Sequence, residues 1–175
     1  MALYTAILTD TGSFRYSNAT PAAFAAAGEL VARGVNPWDV TQEVYESHPA
    51  ARFKLLARVL ETLAVSPSGL VAGVCVSRGM FAETGADSSF TDGMINYPRA
   101  IAGVEVAFMV RETGAREGKV SFRSRGRVNV AELAAEFGGG GHHNAAGCRM
   151  TGSLAEIVER VFQLAEARLR DVVSG

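Results

Sequence analysis

The stretch Phe137-Gly138-Gly139-Gly140-Gly141-His142-His143-Asn144-Ala145-Ala146-Gly147 decides how this chain is read. Four consecutive glycines cost backbone entropy on ordering, and a plain turn needs only one or two. What the tract supplies instead is close approach. Without side chains, successive N–H groups converge on an anion, and an adjacent imidazole donates a hydrogen bond to the same oxygen. Ala145, Ala146 and Gly147 leave room for a ligand or for a tightly packed strand. The competing reading is a flexible connector that carries two surface histidines.

Outward from this tract, both flanks carry helix signals. Asn129 with Glu132 three residues later starts a short helix ending at Phe137, with Gly138 as its stop. Ser153 with Glu156 repeats the device. Beyond it Leu154, Ile157, Val158, Val161, Phe162, Ala165, Leu169 and Val172 follow helical spacing, which predicts a long helix covering one face of a sheet. Upstream, 119–125 alternates with Val120 and Phe122 on one face, while 104–110 and 70–76 are short, apolar and β-branched. A mixed sheet is expected. The polar stretch 83–92 reads as a loop with a helical turn.

Further toward the N-terminus, Ser66-Pro67-Ser68-Gly69 breaks a helix expected over 50–64, whose apolar face is Phe53, Leu56, Leu60 and Leu63. Thr20-Pro21 and Asn36-Pro37 are helix starts, and Gly34 closes the first of the two. The apolar run 3–8 reads as a buried strand with no preceding element, as if the chain were cut there. The expected fold class is therefore α/β: a partial domain of a strand plus helices (1–48), a linker helix (49–68), and a mixed-sheet domain with flanking helices (69–175).

The bulk properties set the limits. The chain has 175 residues, 48% hydrophobic and 20% charged, ample for a core. No apolar run approaches the ~20 residues needed to cross a bilayer, and the first residues lack a secretory pattern. A cytoplasmic protein with no membrane partner is expected. Cys75 and Cys148 fit neither a paired metal-ligand spacing nor a disulfide framework, so two reduced thiols are expected. A formal net charge of −1 argues against coating long nucleic acids, so any anion site must be local. One segment is local in that sense: in 111–127 six basic residues (Arg111, Arg116, Lys119, Arg123, Arg125 and Arg127) face only Glu112 and Glu117. Such a strip is otherwise a solvated hairpin face.

The Gly-Gly-Gly-Gly-His tract followed by Asn144-Ala145-Ala146-Gly147 resembles the signature of the type 1 DHH-associated domain, the substrate-binding domain of DHH-family phosphoesterases. Val120-Ser121-Phe122-Arg123-Ser124, Val128-Asn129-Val130 and Asn96-Tyr97-Pro98-Arg99 with Gly103-Val104-Glu105-Val106 resemble the segments leading to it. The order most resembles the branch of oligoribonucleases and 3′-phosphoadenosine 5′-phosphate phosphatases, over essentially the whole chain. Thr9-Asp10-Thr11-Gly12-Ser13-Phe14 with Tyr16-Ser17-Asn18 resembles the last motif of the catalytic DHH domain.

That resemblance implies roles. The family uses two Mn²⁺ ions to activate water and stabilise phosphoryl oxygens, and Asp10 inherits the part of a metal ligand. The family's paired aspartates and Asp-His-His triplet do not occur in these residues, so one carboxylate is left to hold a pair of ions. Arg123 is implied as the phosphate clamp, because guanidinium meets phosphate with two parallel hydrogen bonds. Ser124 and the amides of Gly139, Gly140 and Gly141 complete the cradle, His142 binds the phosphate or reacting end, and His143 occupies a variable position. Arg125 and Arg127 are read as outer contacts or solvated charges. Trp38 and His48 are read as structural, while Tyr97 and Phe122 are weaker candidates for stacking a base.

The expected partner is a short single-stranded RNA or a nucleotide. The expected parent activity is metal-dependent hydrolysis of very short RNAs or of the 3′-phosphate of 3′-phosphoadenosine 5′-phosphate, with this chain alone inactive. A free-standing nucleotide-binding or regulatory module and a relative of cyclic-dinucleotide phosphodiesterases stay open beside it, and oligomeric state is not legible.

Overall fold

The protein's structure, a computed structural model, describes residues 1–174, with side chains through residue 170. It divides into two units, 1–49 and 50–175.

In the first unit, helix α1 (Ala2–Asp10) takes the place of the strand expected over 3–8. A short apolar run does not distinguish the two by itself. Tyr4 and Leu8, four residues apart, form the buried face of this helix and pack with Ala27 and Val40. Helices α2 (Pro21–Ala32) and α3 (Pro37–Thr41) start where the sequence signals them: Thr20 Oγ1 accepts from the Ala23 amide and Asn36 Oδ1 from the Trp38 amide. A π-helical turn, Gln42–Glu46, extends α3.

The second unit begins with α4 (Ala50–Leu60). Its buried residues are Leu55 and Val59, and not the stripe through Phe53, which is exposed. After it come β1 (Ala64–Val65), β2 (Val71–Val76), α5 (Arg78–Thr84), a 3₁₀ turn (Ser88–Thr91), α6 (Asn96–Ala100), β3 (Val106–Gly114) and β4 (Glu117–Ser124). Then follow α7 (Val130–Ala135), β5 (Gly140–His142), β6 (Ala145–Thr151) and α8 (Leu154–Ser174). Among the described residues the strands form one sheet in the order β1-β2-β3-β4-β6-β5, parallel between β2 and β3 and antiparallel elsewhere.

Both faces of the sheet are used, but unequally. Val106, Phe108, Val110, Val120, Phe122, Ala146 and Cys148 pack under α7 and α8, against Leu133, Ile157, Val161, Ala165 and Leu169. The capping box expected at the start of α8 is complete: Ser153 N–H donates to Glu156 Oε2 (2.7 Å) and Glu156 N–H to Ser153 Oγ (3.3 Å). Val172, expected on the same apolar stripe, lies outside the residues whose side chains are described. On the opposite face Val74, Val76 and Met109 pack against Leu55 and Val59 of α4. Ala72 and Ala107 pack with Val104 and Ile101.

Candidate functional site

Strand register decides which side chains meet. On β4, Val120 and Phe122 point into the α7–α8 core and Ser124 is buried on the same side by alternation, whereas Lys119, Ser121 and Arg123 alternate onto the other face. The pairings carry this second face across three strands. Arg123 stands opposite Ala145 of β6, which stands opposite His142 of β5. In the next row Ser121 pairs with Gly147, and Gly147 with Gly140. In the row beyond, Lys119 lies between Arg111 and Arg149. At ~4.8 Å per strand, the backbones of Arg123 and His142 are about 10 Å apart with one methyl group between them.

The sequence-derived site residues separate accordingly. Arg123, Gly140 and His142 share this face, and a Cβ built on Gly140 meets nothing within 4 Å. Arg123 Nη1 donates to the Phe122 carbonyl oxygen (2.9 Å). Gly139 serves a packing role. Its amide donates to the Ala134 carbonyl (2.9 Å) to close α7, and a Cβ there would lie 2.3 Å from the Gly147 oxygen. Gly141, in the left-handed φ range at +150°, is similarly pressed against Ala145 and Ala146.

Ser124 is only 4% exposed, and its hydroxyl donates to Asn144 Oδ1 (3.1 Å). Its amide donates to the Asn144 carbonyl (3.2 Å). His143 is anchored by Nε2 donating to the Gly126 carbonyl (2.9 Å), and its own carbonyl accepts from the Val130 amide (2.9 Å). These two residues therefore brace the turn that presents His142. Arg125 Nη2 donates to the carbonyls of Arg99 (3.1 Å) and Ile101 (3.2 Å), and the Arg127 amide donates to buried Glu105 (2.7 Å).

Beside the glycine tract lies a groove of about 700 Å³ whose lining includes Arg111, Lys119, Ser121, Gly140, Gly147 and Arg149. Arg111, Ser121 and Arg149 were not singled out as site residues from sequence. The alternation along 119–125 that marked Val120 and Phe122 as core also puts Lys119, Ser121 and Arg123 together on the reverse side. Cys148, also at the groove, has its thiol pushed up to about 11 by burial.

Of the two stacking candidates, Phe122 is fully buried and does not present a ring to a ligand, whereas Tyr97 is 47% exposed; Trp38, read from sequence as structural, is 58% exposed and does not anchor a core. Asp10 ends α1 in the first unit, where Asn18 Nδ2 donates to its carbonyl (3.2 Å). Gly12, Ser13 and Phe14 follow in the left-handed region, a costly run for the two non-glycine residues. Among the described residues no group of three or more His, Cys, Asp or Glu is placed to hold a metal ion. A two-manganese set does not fit the residues present.

Residues 68–171 match the DHHA1 domain. The chain is 37% identical, over 94% of its length, to a bifunctional oligoribonuclease and PAP phosphatase of Thermus thermophilus, of which it covers 49%. It is 28% identical over 83% of its length to the protein of the same description in Bacillus subtilis, of which it covers 45%. The chain thus spans about half the length of these curated relatives. A crystal structure of an exopolyphosphatase-related protein from Bacteroides fragilis superimposes with a TM-score of 0.87 at 28% identity, over 95% of this chain and 49% of that one.

Proposed function

The chain belongs to the DHHA1 domain family, among the DHH-family phosphoesterases, and from that premise we propose that the open face of β4, β6 and β5 binds a phosphate of a nucleotide or very short RNA between Arg123 and His142. The observation that carries this reading is the row Arg123–Ala145–His142. It sets a guanidinium and an imidazole on either side of a residue too small to fill the gap. Arg123 supplies paired, charge-assisted donors and His142 a further donor. Ala145, Gly140 and Gly147 matter for the bulk they lack. Ser124 and His143 hold the adjoining turn.

The whole protein's reaction, in this reading, is metal-dependent hydrolysis of very short RNAs or of the 3′-phosphate of 3′-phosphoadenosine 5′-phosphate. Two Mn²⁺ ions would supply an activated water and charge stabilisation. Asp10 is the one ligand we assign to them here, and a lone carboxylate does not hold two ions. The 175-residue chain is therefore a binder that does not hydrolyse its ligand, acting in the cytoplasm.

Calorimetric titration with 3′-phosphoadenosine 5′-phosphate tests the site. Arg123→Ala removes a charge-assisted contact worth about 1.5–3 kcal/mol, or roughly 10- to 100-fold in affinity. Arg127→Ala is expected to change affinity far less. Equal effects of the two substitutions would put the phosphate elsewhere, and manganese-dependent release of mononucleotides by this chain would reject its inactivity.

A further inference from the structure

Resting on the phosphate site proposed above, we infer that Glu105 is a positioning residue for His142: its carboxylate fixes the Gly126–Arg127 peptide group, and that peptide fixes the tip of the hairpin that carries the imidazole. Glu105 is only 6% exposed, and a polar group so placed is held by protein partners. Its Oε1 accepts from the Arg127 amide at 2.7 Å.

Glu105 is itself firmly seated. Its N–H donates to the Leu70 carbonyl (2.8 Å) just before β2, and its own carbonyl accepts from the Arg125 N–H (3.0 Å). It therefore holds the turn 125–127 at both ends, at Arg125 through its backbone and at Arg127 through its side chain. Between them Gly126 has a φ of +120°, and its carbonyl accepts from His143 Nε2 at 2.9 Å.

The Arg127 N–H and the Gly126 carbonyl belong to one peptide group. That group is planar and trans, so an N–H aimed at Glu105 aims the carbonyl the opposite way, toward His143. A carboxylate on the N–H also polarises the peptide and makes its carbonyl the better acceptor. Without the carboxylate, a glycine on one side leaves the plane free to turn. His143 and Asn144 are the two residues joining β5 to β6, since His142 pairs directly with Ala145. Ser124 secures Asn144, and the Gly126 carbonyl secures the His143 ring. His142 is the next residue, the last of β5. Only the backbone of Arg127 takes part, which agrees with the small effect expected of Arg127→Ala.

The test combines titration of the 175-residue chain with 3′-phosphoadenosine 5′-phosphate and heteronuclear NMR of the ligand-free chain. Glu105→Ala should weaken binding roughly three- to tenfold, as for loss of one coupled contact. Glu105→Gln removes the charge but keeps an oxygen that accepts from Arg127, so it should stay within about twofold of wild type. In a His142→Ala background Glu105→Ala should cost nothing further, whereas in an Arg123→Ala background it should cost as much as in wild type. The His142 imidazole and the Gly126 and His143 amides should shift in Glu105→Ala and not in Glu105→Gln.

An unmoved His142 imidazole in Glu105→Ala, or equal losses of affinity with and without that imidazole, would overturn the assignment. So would a Glu105→Gln variant as weak as Glu105→Ala, which would trace the effect to charge alone. If the imidazole moves but His142→Ala binds like wild type, the positioning stands and the phosphate site is rejected. Should Glu105→Ala fail to fold, Glu105→Asp, whose carboxylate falls one methylene short of the Arg127 amide, takes its place with the same outcomes.

Discussion

Arg123 and His142 reach the same residue from opposite sides, each paired across the sheet with Ala145. The space between the guanidinium and the imidazole is thus set by one methyl group on the central strand of three. Ala145→Leu would project an isobutyl group onto the face where the phosphate is proposed to sit. It is expected to lower nucleotide affinity at least tenfold while stability stays within ~0.5 kcal/mol, the usual range for a change outside the core. Wild-type affinity in an Ala145→Leu variant would mean that the ligand does not occupy this row.

Two neighbouring glycines should respond oppositely. At Gly140 an added methyl enters open space, so Gly140→Ala should fold normally, gain up to ~1 kcal/mol through the unfolded chain, and lose affinity because the methyl points at the ligand. At Gly139 the methyl would meet the Gly147 oxygen at 2.3 Å and Cys148 Cβ at 2.5 Å. Gly139→Ala should therefore destabilise by ~1–3 kcal/mol, the cost of overpacking. Denaturant unfolding and titration of both variants separate the roles, and similar stability for the two would contradict the packing assigned to Gly139.

The two thiols predict a loss of stability in alkali. Burial pushes both Cys75 and Cys148 up to about 11, against an ordinary 9.0. Between those values the folded chain holds protons that the unfolded chain has released. The stabilisation is thus complete below pH 9 and is lost as pH rises toward 11. Relative to wild type, a Cys75→Ala, Cys148→Ala variant should show a shallower decline in unfolding free energy between pH 9 and 11. Parallel declines would show that the thiols ionise alike in both states.

Much of this was legible in sequence where one local rule governed the outcome. Thr20, Asn36, Ser153 and Glu156 act as the caps their residue types announce, because capping depends on a few consecutive residues. The alternation of Val120 and Phe122 likewise fixed the orientation of β4. Run 3–8 escaped the reading because a hexapeptide of apolar residues satisfies a helix and a strand equally, and Tyr4 and Leu8 are buried by partners distant in sequence. The stripe of α4 was misjudged for the same reason: Leu55 and Val59 are selected by Val74, Val76 and Met109. At the site, the register puts Arg123, Gly140 and His142 on one face. Ser124 could not be separated from Arg123 by type, since adjacent strand residues point to opposite faces and only the register shows which is which. β5 was hidden inside a glycine tract whose composition disfavours strands, and it forms because β6 offers it backbone partners.

Arg123, Gly140, His142 and Ala145 come from strands β4, β5 and β6, which follow β3 in the chain with α7 between β4 and β5. β3 and β4 are joined by a tight turn, whereas β2 reaches β3 in parallel only after the long excursion through residues 77–105. Closing that larger loop costs more entropy before any contact offsets it. Assembly should therefore be ordered in time, with the ligand face forming early and the parallel seam late. Pulsed hydrogen exchange during refolding is expected to protect amides of 106–124 and 145–151 before those of 71–76, and simultaneous protection would disprove the order. Destabilising changes in β2 would then act chiefly by speeding unfolding, leaving the rate at which the binding face first appears almost untouched.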